Sequence, residues 1–440
     1  MVRILAWQLL RTSDTPLRDV DRACDEAGFD GRDRGLVRKL IAVEVRRRGT
    51  LRAIVQAYAT GKPSSDLCAH VHLGLVQLLF LDQIPDHAAV SETVGAVHRT
   101  LGPSKVKYVN AILRSVGRER VAGLSGDPRR DLVGRDFHLS RDIFREPNKH
   151  PLLYAEDALS MPVPIFKRWL KRHGEEKARE LALLAMDESP LSARLTGGDM
   201  EAINAEFDEL GIDRSPGKHK DVLLFDSMST AAVIHSKAFT EGRLTIQGEC
   251  ALRAAELLEA KEGERILDLC AAPGGKTAVL ASSGANVLAC DVDKPRLDRI
   301  QNGLERLSLT DNVELRVSNG TNGVTEEDFD GVMIDAPCSN TGVLAARPEA
   351  RWRYGPQAKR ILIALQDRLL DEGAAKVRVG GRLVYSTCSL EADENSQRIK
   401  SFLERAPGFS IDKEQDFIAA SAANGGPVDG GYSVRLVRNE

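Results

Sequence analysis

The spacing of apolar residues divides the chain into a helical front and an alternating back. From residue 2 to about residue 140, apolar side chains recur at helical intervals, as in Leu36, Leu40, Ile41 and Val43. The stretch 72–81 is apolar on nearly all sides, which is typical of the central helix of a bundle. Because strand patterns are scarce here, the sequence predicts an all-α domain over residues 1–140.

Beyond residue 246, short apolar runs alternate with amphipathic stretches. The predicted strands are 265–270, 286–292, 313–317, 331–336 and 382–388, with a final edge strand at 431–437. The predicted helices run to 283 and over 294–307, 356–377 and 393–405. This alternation indicates a mostly parallel sheet with helices on both faces. The sequence therefore predicts an α/β domain over residues 246–440.

The middle of the chain carries weaker patterns. Charged residues, Gly and Pro are frequent over residues 120–160, which predicts a linker. A basic amphipathic helix follows at 165–173, and residues 221–245 mix short strands with turns. We therefore expect a small α+β linker subdomain over residues 150–245, so that the protein is multidomain with three parts.

The composition is that of an ordinary soluble protein of 440 residues. No run of eighteen apolar residues occurs, and the apolar part of the N-terminus is too short for a signal peptide. The seven cysteines are an odd number without disulfide or metal-ligand spacing. We therefore expect a cytoplasmic protein with no metal and no membrane partner.

Charge is distributed unevenly along the chain. Residues 1–150 hold 25 Lys and Arg against 18 Asp and Glu, a net charge of +7, whereas the remainder carries −10. A basic front suggests contact with a polyanion, and Arg46, Arg47 and Arg48 or the pair Lys105 and Lys107 are candidates for that contact. Ordinary surface variation explains the same charge equally well.

A glycine turn separates the first strand of the α/β domain from its helix. The motif Pro273-Gly-Gly-Lys276 interrupts the apolar run, its glycines let the main chain approach a ligand, and the helix start offers unpaired N–H groups. Neither G-x-G-x-x-G nor a P-loop is present. Asp291 ends the next strand, where a ribose diol is held in doubly wound folds, although it could instead cap the following helix. The pattern favours a mononucleoside cofactor such as S-adenosylmethionine.

Two cysteines, Cys338 and Cys388, follow predicted strands directly. The carboxyl ends of parallel strands form the ligand crevice of such a sheet, and Cys338 comes straight after Asp335-Ala-Pro. A single cysteine is usually a small buried hydrophobe. We interpret the remaining cysteines in that way: Cys24, Cys68, Cys250, Cys290 and the side chain of Cys270.

Two stretches of the front domain carry a resemblance. Gln77–Val90 and Lys107–Arg114 resemble the NusB-type antitermination-factor domain, and the match covers most of the first 120 residues. That family has an all-helical, RNA-binding fold. The resemblance therefore implies that residues 1–140 form a NusB-like domain that binds RNA.

Three motifs of the back carry a closer resemblance. Leu267–Thr277, Asp335–Gly342 and Tyr385–Ser389 with Glu394-Asn395 resemble the Sun (Nol/Nop/Sun) family of RNA cytosine-C5 methyltransferases. With its NusB-like front, the chain resembles the small-subunit ribosomal RNA methyltransferases of that family from end to end. The resemblance implies a Rossmann-like (class I) S-adenosylmethionine-dependent methyltransferase domain. It also implies small-subunit (16S) rRNA as the partner, and we expect a monomer.

The resemblance also implies the roles of individual residues. Cys388 is expected to add to C6 of the cytosine, because C5 is a poor nucleophile, and Cys338 to assist release. Lys276 is expected to activate Cys388 and Asp335 to hold the base, which must be unpaired or flipped out. We expect the strand before Cys388 to lie nearest the cofactor turn. The implied cofactor-binding residues are Cys270, Ala271, Ala272, Pro273, Gly274, Gly275, Lys276, Asp291, Asn319 and Asp335.

The sequence departs from the family pattern at Asn319, where the family usually has Asp. An Asn carbonyl can still accept a hydrogen bond from an adenine amino group. The usual basic stretch before Pro348 is also reduced to Ala345-Ala-Arg347. Two other functions stay open at this point. One is a non-catalytic RNA-binding factor, supported only by Asn319, and the other is a methyltransferase for another RNA or for nitrogen, which needs no cysteine nucleophile.

Overall fold

The computed structural model describes residues 1–198, 200–422 and 427–440. Its helices are, in chain order, α1 (Val2–Thr12), α2 (Pro16–Glu26), α3 (Gly31–Tyr58), α4 (Ser65–Phe80), α5 (Asp86–Leu101), α6 (Val106–Glu119), α7 (Pro151–Ala158), α8 (Val163–Leu184), α9 (Met200–Glu209), α10 (Thr230–His235), α11 (Lys237–Thr240), α12 (Glu249–Glu256), α13 (Gly275–Ser282), α14 (Lys294–Arg306), α15 (Ala350–Arg353), α16 (Pro356–Lys376) and α17 (Ser396–Arg405). Its strands are β1 (Arg120–Ala122), β2 (Phe137–Leu139), β3 (Leu191–Leu195), β4 (Arg214–Pro216), β5 (Val222–Phe225), β6 (Leu244–Ile246), β7 (Arg265–Leu269), β8 (Asn286–Asp291), β9 (Val313–Val317), β10 (Phe329–Asp335), β11 (Val377–Thr387), β12 (Phe409–Phe417) and β13 (Gly431–Arg438).

These elements form two compact units. The first unit consists of Met1–Asp187 together with Arg347–Tyr354, and the second of Glu188–Ala346 together with Gly355–Glu440. The first contains α1 to α8, the strands β1 and β2, and α15, while the second contains the other elements. The predicted all-helical front and α/β back are confirmed. The division into domains 1–140, 150–245 and 246–440 stays a prediction.

Helix α4 is the centre of the first unit, as its all-round apolar pattern predicts. It packs against α1, α3, α5 and α6, and nearly all its side chains are buried. Ser64 caps it by accepting a hydrogen bond from the N–H of Leu67. A Cβ on Gly74 would lie 2.7 Å from Leu113 Cδ1, so the glycine lets α6 approach closely.

The prediction of a linker over residues 120–160 is wrong. The segment contains β1, β2 and α7, and the side chains of Leu132, Phe137 and Leu139 join the core of the helical bundle. Its charges made it look solvated, but they pair with one another, as Arg129 does with Asp142 at 2.7 Å. Residues 120–160 are therefore a packed part of the first unit, although their many charged residues are typical of an exposed segment.

The run Arg46–Arg48 does not present its side chains to a polyanion in the way that the sequence suggested. Arg47 Nη1 donates to the carbonyl of Val133 at 2.8 Å, and Arg48 Nη2 lies 2.8 Å from Glu44 Oε2. Arg46 Nε donates to the carbonyl of Asp187. These guanidinium groups therefore serve contacts within the first unit, whereas Lys105 and Lys107 are exposed.

Residues 347–354, which follow the Cys338 loop in the chain, belong to the first unit. Arg351 is fully buried and donates to the main-chain carbonyls of Ser160, Ala185 and Pro348. Trp352 Nε1 donates to the carbonyl of Val45 at 2.7 Å, and two guanidinium groups lie over its ring. The segment is therefore fastened by buried hydrogen bonds and by cation–π contacts.

The second unit is organised around a seven-stranded sheet of order β12-β13-β11-β10-β7-β8-β9. Strands β11, β10, β7, β8 and β9 are parallel, and β13 and β12 are antiparallel additions. The prediction of β13 as an edge strand is wrong, because β12 covers it. Strand β12 carries four charged residues, three of them consecutive, and is mostly exposed, as edge strands often are, so its hydrophobic pattern is weak.

A smaller sheet of order β4-β5-β3-β6 precedes the large one in the chain. Helix α9 covers it through Phe207, whose ring meets that of Phe225 edge-on at 5.0 Å between centroids. This sheet and its helix are the small α+β region that the sequence predicted. Among the described residues, none of the helices combines the length and the apolar character that crossing a membrane requires.

Candidate active site

The order of the large sheet gathers the carboxyl ends of its parallel strands at one edge. Strand β10 lies beside β7, with Ile334 opposite Leu269, and β11 lies beyond β10, with Ser386 opposite Asp335. The loops that follow these strands carry the residues named from the sequence. Strands β10 and β8 flank β7, whereas β11, the strand before Cys388, lies one strand further from the glycine turn. The expectation that β11 lies nearest this turn is therefore wrong, because strand order depends on long-range pairing.

The glycine turn, Cys270–Gly275, leaves β7 in a conformation that few residues adopt. Cys270 has φ 61° and Gly274 has φ 98°, both in the left-handed region. A Cβ on Gly274 would lie 2.9 Å from Ile300 Cγ2, so glycine is needed there for space as well as for conformation. Ala271 is buried, Pro273 is exposed, and α13 begins at Gly275. The turn thus places main-chain N–H groups at the start of a helix, at the sheet edge.

Asp291 fastens the glycine turn to the end of β8. Its Oδ2 accepts the N–H of Ala272 at 2.9 Å, its Oδ1 accepts the N–H of Val292 at 2.7 Å, and Arg296 Nη1 lies 3.0 Å from Oδ1. The alternative that Asp291 caps the next helix is excluded, because Asp293 is the residue that caps α14. The buried Asp291 carboxylate therefore holds the glycine turn at the edge of the sheet.

Lys276 and Asp335 form an ion pair between α13 and the end of β10. Lys276 Nζ lies 2.7 Å from Asp335 Oδ2, and Ser386 Oγ donates to Asp335 Oδ1 at 3.1 Å. Burial alone would lower the pKa of Lys276, but the Asp335 carboxylate and a charge on Cys388 raise it. Lys276 therefore carries a positive charge close to Asp335 and to the Cys388 thiol.

The two strand-end thiols are in contact. Cys338 Sγ and Cys388 Sγ lie 3.3 Å apart, with Cys338 buried and Cys388 half-buried. Cys388 Sγ donates to Asn340 Oδ1 at 3.1 Å, and Asn340 Nδ2 donates to the carbonyl of Cys338 at 2.9 Å. The contact with Cys388 and burial raise the pKa of Cys338 well above the usual range. Cys338 is therefore a protonated thiol at neutral pH, with Cys388 as its neighbour.

Glu394 and Asn395 hold the two cysteine loops together. Ser339 Oγ donates to Glu394 Oε2 at 2.8 Å, Thr387 Oγ1 donates to Asn395 Oδ1 at 2.6 Å, and Asn395 Nδ2 donates to the carbonyl of Ser389 at 2.8 Å. Both residues are fully buried. Glu394 and Asn395 therefore position Ser339 and Thr387, the residues next to the two cysteines. Helix α17 starts after this pair at Ser396, three residues later than predicted.

Asn319 lies in the loop after β9 and is exposed. Its Oδ1 accepts a hydrogen bond from Arg368 Nη2 at 2.7 Å. The preceding Ser318 donates its N–H to the carbonyl of Asp291 at 2.8 Å, which places this loop next to the end of β8. The structure therefore places Asn319 at the same sheet edge, with its carbonyl oxygen shared with Arg368.

Two buried polar groups near the glycine turn were missed in the sequence. Asp268, within β7, accepts a hydrogen bond from Thr277 Oγ1, and burial raises its pKa to about 7. Within the described part of the chain, Asp268 Oδ1 and Gln247 Nε2 have no hydrogen-bond partner. A Cβ on Gly275 would lie 3.4 Å from that Gln247 nitrogen. The sequence did hold a sign of this buried group, because Asp268 is an acidic residue within the otherwise apolar run 266–269.

Cys270 in the glycine turn and Cys290 in β8 behave as packing residues. Burial raises the pKa of Cys270 to about 12, with smaller contributions from Asp335 and Asp291, and it raises the pKa of Cys290 to about 12. Both are therefore protonated at neutral pH and are poor nucleophiles.

Family models match both parts of the chain. Residues 255–426 match the model described as 16S rRNA methyltransferase RsmB/F, and residues 2–118 match that of the NusB family. The chain is 32% identical over 344 residues to ribosomal RNA small subunit methyltransferase B of Yersinia pestis bv. Antiqua (strain Angola). That match covers 77% of this chain and 73% of the relative.

Solved structures share the fold. PH0851 superposes with a TM-score of 0.76 at 21% identity, covering 99% of this chain and 98% of that one. NSun6 from Pyrococcus horikoshii, solved with SFG, superposes with a TM-score of 0.54 at 18% identity, covering 63% of this chain and 98% of that one. At these identities the likeness concerns the fold, and it extends over both units in the first case.

Proposed function

The chain belongs to the 16S rRNA methyltransferase RsmB/F family, and on this premise we propose that it transfers a methyl group from S-adenosylmethionine to C5 of a cytidine in small-subunit (16S) rRNA. The observation that carries the proposal is the contact of Cys338 with Cys388, 3.3 Å between sulfurs, near the Lys276–Asp335 ion pair. Methylation of a nitrogen needs no sulfur nucleophile, so two adjacent thiols at this edge favour methylation of carbon.

The groups around the glycine turn fit S-adenosylmethionine. The buried Asp268 Oδ1 and Gln247 Nε2, which lack partners among the described residues, suit the charged amino-acid part of the cofactor. Asp291 suits the ribose diol, since a carboxylate has about four acceptor sites, of which the N–H groups of Ala272 and Val292 and the Arg296 guanidinium take three. When bound there, the cofactor supplies an electrophilic methyl group.

Further cofactor contacts come from the loops beside the turn. We assign the main chain of Cys270–Gly275 and the N-terminal end of α13 to the cofactor, together with Lys276 and Asp335 at the neighbouring strand end. Asn319 is assigned to the adenine amino group through its carbonyl oxygen, which must then be shared with Arg368. This sharing makes Asn319 the weakest of the proposed contacts.

Cys388 is the proposed nucleophile. Its sulfur adds to C6 of the cytosine, and the electron pair released from the C5–C6 bond makes C5 nucleophilic. The Lys276 ammonium favours the thiolate form of Cys388, as the reciprocal effect of a Cys388 charge on Lys276 indicates. The Asp335 carboxylate, which is one-third exposed and thus within reach of a base, binds the N3–N4 edge of the cytosine.

Cys338 is the proposed proton relay for release. After methylation, C5 must lose its proton while the C6–sulfur bond breaks. Cys338 holds its own proton at neutral pH and is in contact with Cys388 Sγ, so it can give that proton to the departing sulfur while accepting the proton of C5. The relay frees the methylated base and leaves Cys338 protonated as before and Cys388 as a thiol, which must lose its proton again before the next attack.

The remaining parts of the chain are assigned to RNA. We propose that the NusB-like domain 1–140 docks the RNA, that residues 150–245 contribute to its recognition and that residues 246–440 carry the chemistry, in a monomer. The basic front and the exposed Lys105 and Lys107 support the docking role.

The proposal is tested by nucleotide mapping of methylated RNA. Purified protein, S-adenosylmethionine and 16S rRNA from cells that lack the protein should yield 5-methylcytosine at a defined position, and Cys388→Ala should yield none. Methylation of a base nitrogen, or of RNA by Cys388→Ala at the normal rate, contradicts the proposed chemistry.

A further inference from the structure

A third half-buried thiol, Cys68, lies in the first unit at the end of a chain of charged groups. Cys68 Sγ is 3.4 Å from His72 Nε2, and the other nitrogen of that ring, Nδ1, is 2.9 Å from Glu44 Oε1. Cys68 and His72 stand four residues apart on one face of α4, and Glu44 faces them from α3. A cysteine, a histidine that can exchange its proton and a carboxylate that orients the histidine form the arrangement of an activated nucleophile.

The charges around this thiol favour its ionised form. Glu44 is buried, yet Arg48 and His72 hold its pKa at about 2, and contacts with Cys68 and Glu44 raise the pKa of His72 despite burial. Around Cys68, burial and Glu44 act to raise the pKa of the thiol, but the hydrogen bond from His72 and the charges of His72 and Arg52 outweigh them. The pKa of Cys68 is therefore lowered.

The neighbouring helix α6 adds a phenol hydroxyl group to this part of the unit. The Tyr108 hydroxyl is buried and lacks a hydrogen-bond partner among the described residues. Burial and, as a smaller contribution, a charge on Cys68 raise the pKa of Tyr108, so the phenol is protonated at neutral pH. A protonated phenol with an unused O–H can donate a hydrogen bond to a polar molecule that reaches it.

Packing alone does not account for Cys68. Burial raises the pKa of Cys24, Cys250, Cys270 and Cys290, as expected for thiols that only fill space. Our interpretation of Cys68 as a small buried hydrophobe, made from the sequence, missed the pairing with His72 four residues later in the same helix.

We propose that Cys68 is a modification site in the NusB-like unit: a nucleophilic thiol, separate from the thiol pair of the sheet edge, that reacts with hydroperoxides. The Cys68 thiolate attacks the terminal oxygen of the peroxide, the O–O bond breaks, and a sulfur–oxygen bond forms. The sulfur is oxidised to a sulfenic acid and the peroxide is reduced to water or an alcohol. The proton that the leaving oxygen needs comes from the His72 imidazolium, whose Nε2 is in contact with the sulfur.

Site-resolved labelling of the full-length, reduced protein tests the proposal. Each cysteine is alkylated with limiting iodoacetamide between pH 6 and pH 8, and its labelling rate is measured by peptide mass spectrometry. An ordinary thiol with a pKa near 8.5 should label roughly 80-fold faster at pH 8 than at pH 6, because its thiolate fraction grows by that factor. Cys68 should label less than about tenfold faster at pH 8 than at pH 6. At pH 6 its labelling rate should exceed that of the half-buried Cys270.

Two further measurements make the result specific. His72→Asn removes the imidazolium, so the labelling of Cys68 at pH 6 should fall about tenfold or more while its rate in unfolded protein stays unchanged. In wild-type protein treated with hydrogen peroxide, dimedone should trap a sulfenic acid at Cys68 before it does so at Cys270.

Labelling of Cys68 that rises with pH as in the unfolded chain would overturn the proposal, and so would a peroxide reaction in which Cys68 is spared. These wild-type measurements decide the matter even where His72→Asn fails to fold. None of them depends on methyl transfer, so their outcome is separate from that of the proposed function.

Discussion

The sulfur atoms of Cys338 and Cys388 lie 3.3 Å apart, although 50 residues separate them in the chain. The contact exists because β10 and β11 are neighbouring parallel strands and the buried Glu394 and Asn395 bind residues next to each cysteine. Two thiols, one of which holds its proton, therefore meet at the edge of the sheet where we propose that the base enters.

The roles proposed for the two thiols predict different products of their substitution. Cys388→Ala should abolish both methylation and the covalent adduct, because no sulfur then attacks C6. Cys338→Ala should still attack and transfer the methyl group but release product slowly, so RNA should stay linked to Cys388 and survive denaturing gel electrophoresis. If both thiols only pack, each variant should lose about 1 kcal/mol of stability and keep its activity.

The reverse result would reassign the roles. A trapped adduct with Cys388→Ala, and none with Cys338→Ala, would make Cys338 the nucleophile, as the Pro-Cys cysteine is in DNA cytosine methyltransferases. Ser389→Ala serves as a control beside Cys388, since it removes a buried hydroxyl while both sulfurs remain.

The cofactor assignment predicts binding without RNA. S-adenosylmethionine or S-adenosylhomocysteine should bind with a dissociation constant in the micromolar range, about −8 kcal/mol, in isothermal calorimetry. Asp291→Ala should weaken binding at least about tenfold, and Asn319→Asp should leave it unchanged or tighter, because a carboxylate is the stronger acceptor. Absence of binding contradicts the enzymatic proposal, and a large loss in Asn319→Asp would show that this contact is misplaced.

The buried Asp268 predicts a stability effect that depends on pH. Its pKa in the folded protein, about 7, lies above that of an unfolded aspartate, so its contribution to stability is present below pH 4 and is lost as the pH rises through 7. Asp268→Asn lacks this titration. Its unfolding free energy relative to wild type should therefore rise by about 3 kcal/mol between pH 5 and pH 8.

Calorimetric melting of wild-type and variant protein at the two pH values measures the effect of Asp268. Asp330→Asn is the control in the same sheet. A backbone hydrogen bond from Arg265 and the contact with Arg378 lower the pKa of Asp330 despite partial burial, so its contribution is constant between pH 5 and pH 8. An equal pH dependence in the two variants contradicts the prediction.

The docking role predicts a change in the salt dependence of RNA binding. Replacing the exposed Lys105 and Lys107 with Ala should reduce the slope of log K against log salt by about 0.7–0.9 per lost phosphate contact. Point substitutions are preferable to deletion of residues 1–140, because segment 347–354 packs in the same unit. Arg48→Met should lower stability through loss of the Glu44 ion pair but leave the slope unchanged. A slope that stays the same in the double variant contradicts docking at these lysines.

The burial of Arg351 predicts that its substitution strongly lowers the stability of the first unit. Arg351→Ala leaves three main-chain carbonyls without their donor and should reduce the free energy of unfolding by about 3 kcal/mol or more. The exposed Arg353, in the same short helix, should tolerate Ala without measurable loss. Thermal melting of both variants, followed by circular dichroism at a helix wavelength, compares them. Equal melting temperatures would mean that segment 347–354 contributes little to this unit.

Local signals in the sequence predicted most of the fold and many features of the site. The helical bundle, the parallel strands and the glycine turn all follow from hydrophobic periodicity and from glycine, which act over a few residues. The predictions that were wrong concern features that depend on pairing between distant residues. Strand β12 was missed because many of its residues are charged. The sequence predicts a linker over residues 120–160 because the ion pairs of this segment join positions 12 to 17 residues apart, which a local pattern does not reveal.

By itself, the sequence determined that Cys338, Cys388, Asp335 and Lys276 lie at strand ends or a helix start, since those positions depend on local pattern. Only the tertiary structure decided that the sulfurs of Cys338 and Cys388 are in contact and that β10 rather than β11 pairs with the strand before the glycine turn. It also decided that Cys68 contacts His72, which in turn contacts Glu44. The reason is physical. A strand or a helix forms from neighbouring residues, whereas the order of strands and the contacts of buried charges depend on how distant segments pack together.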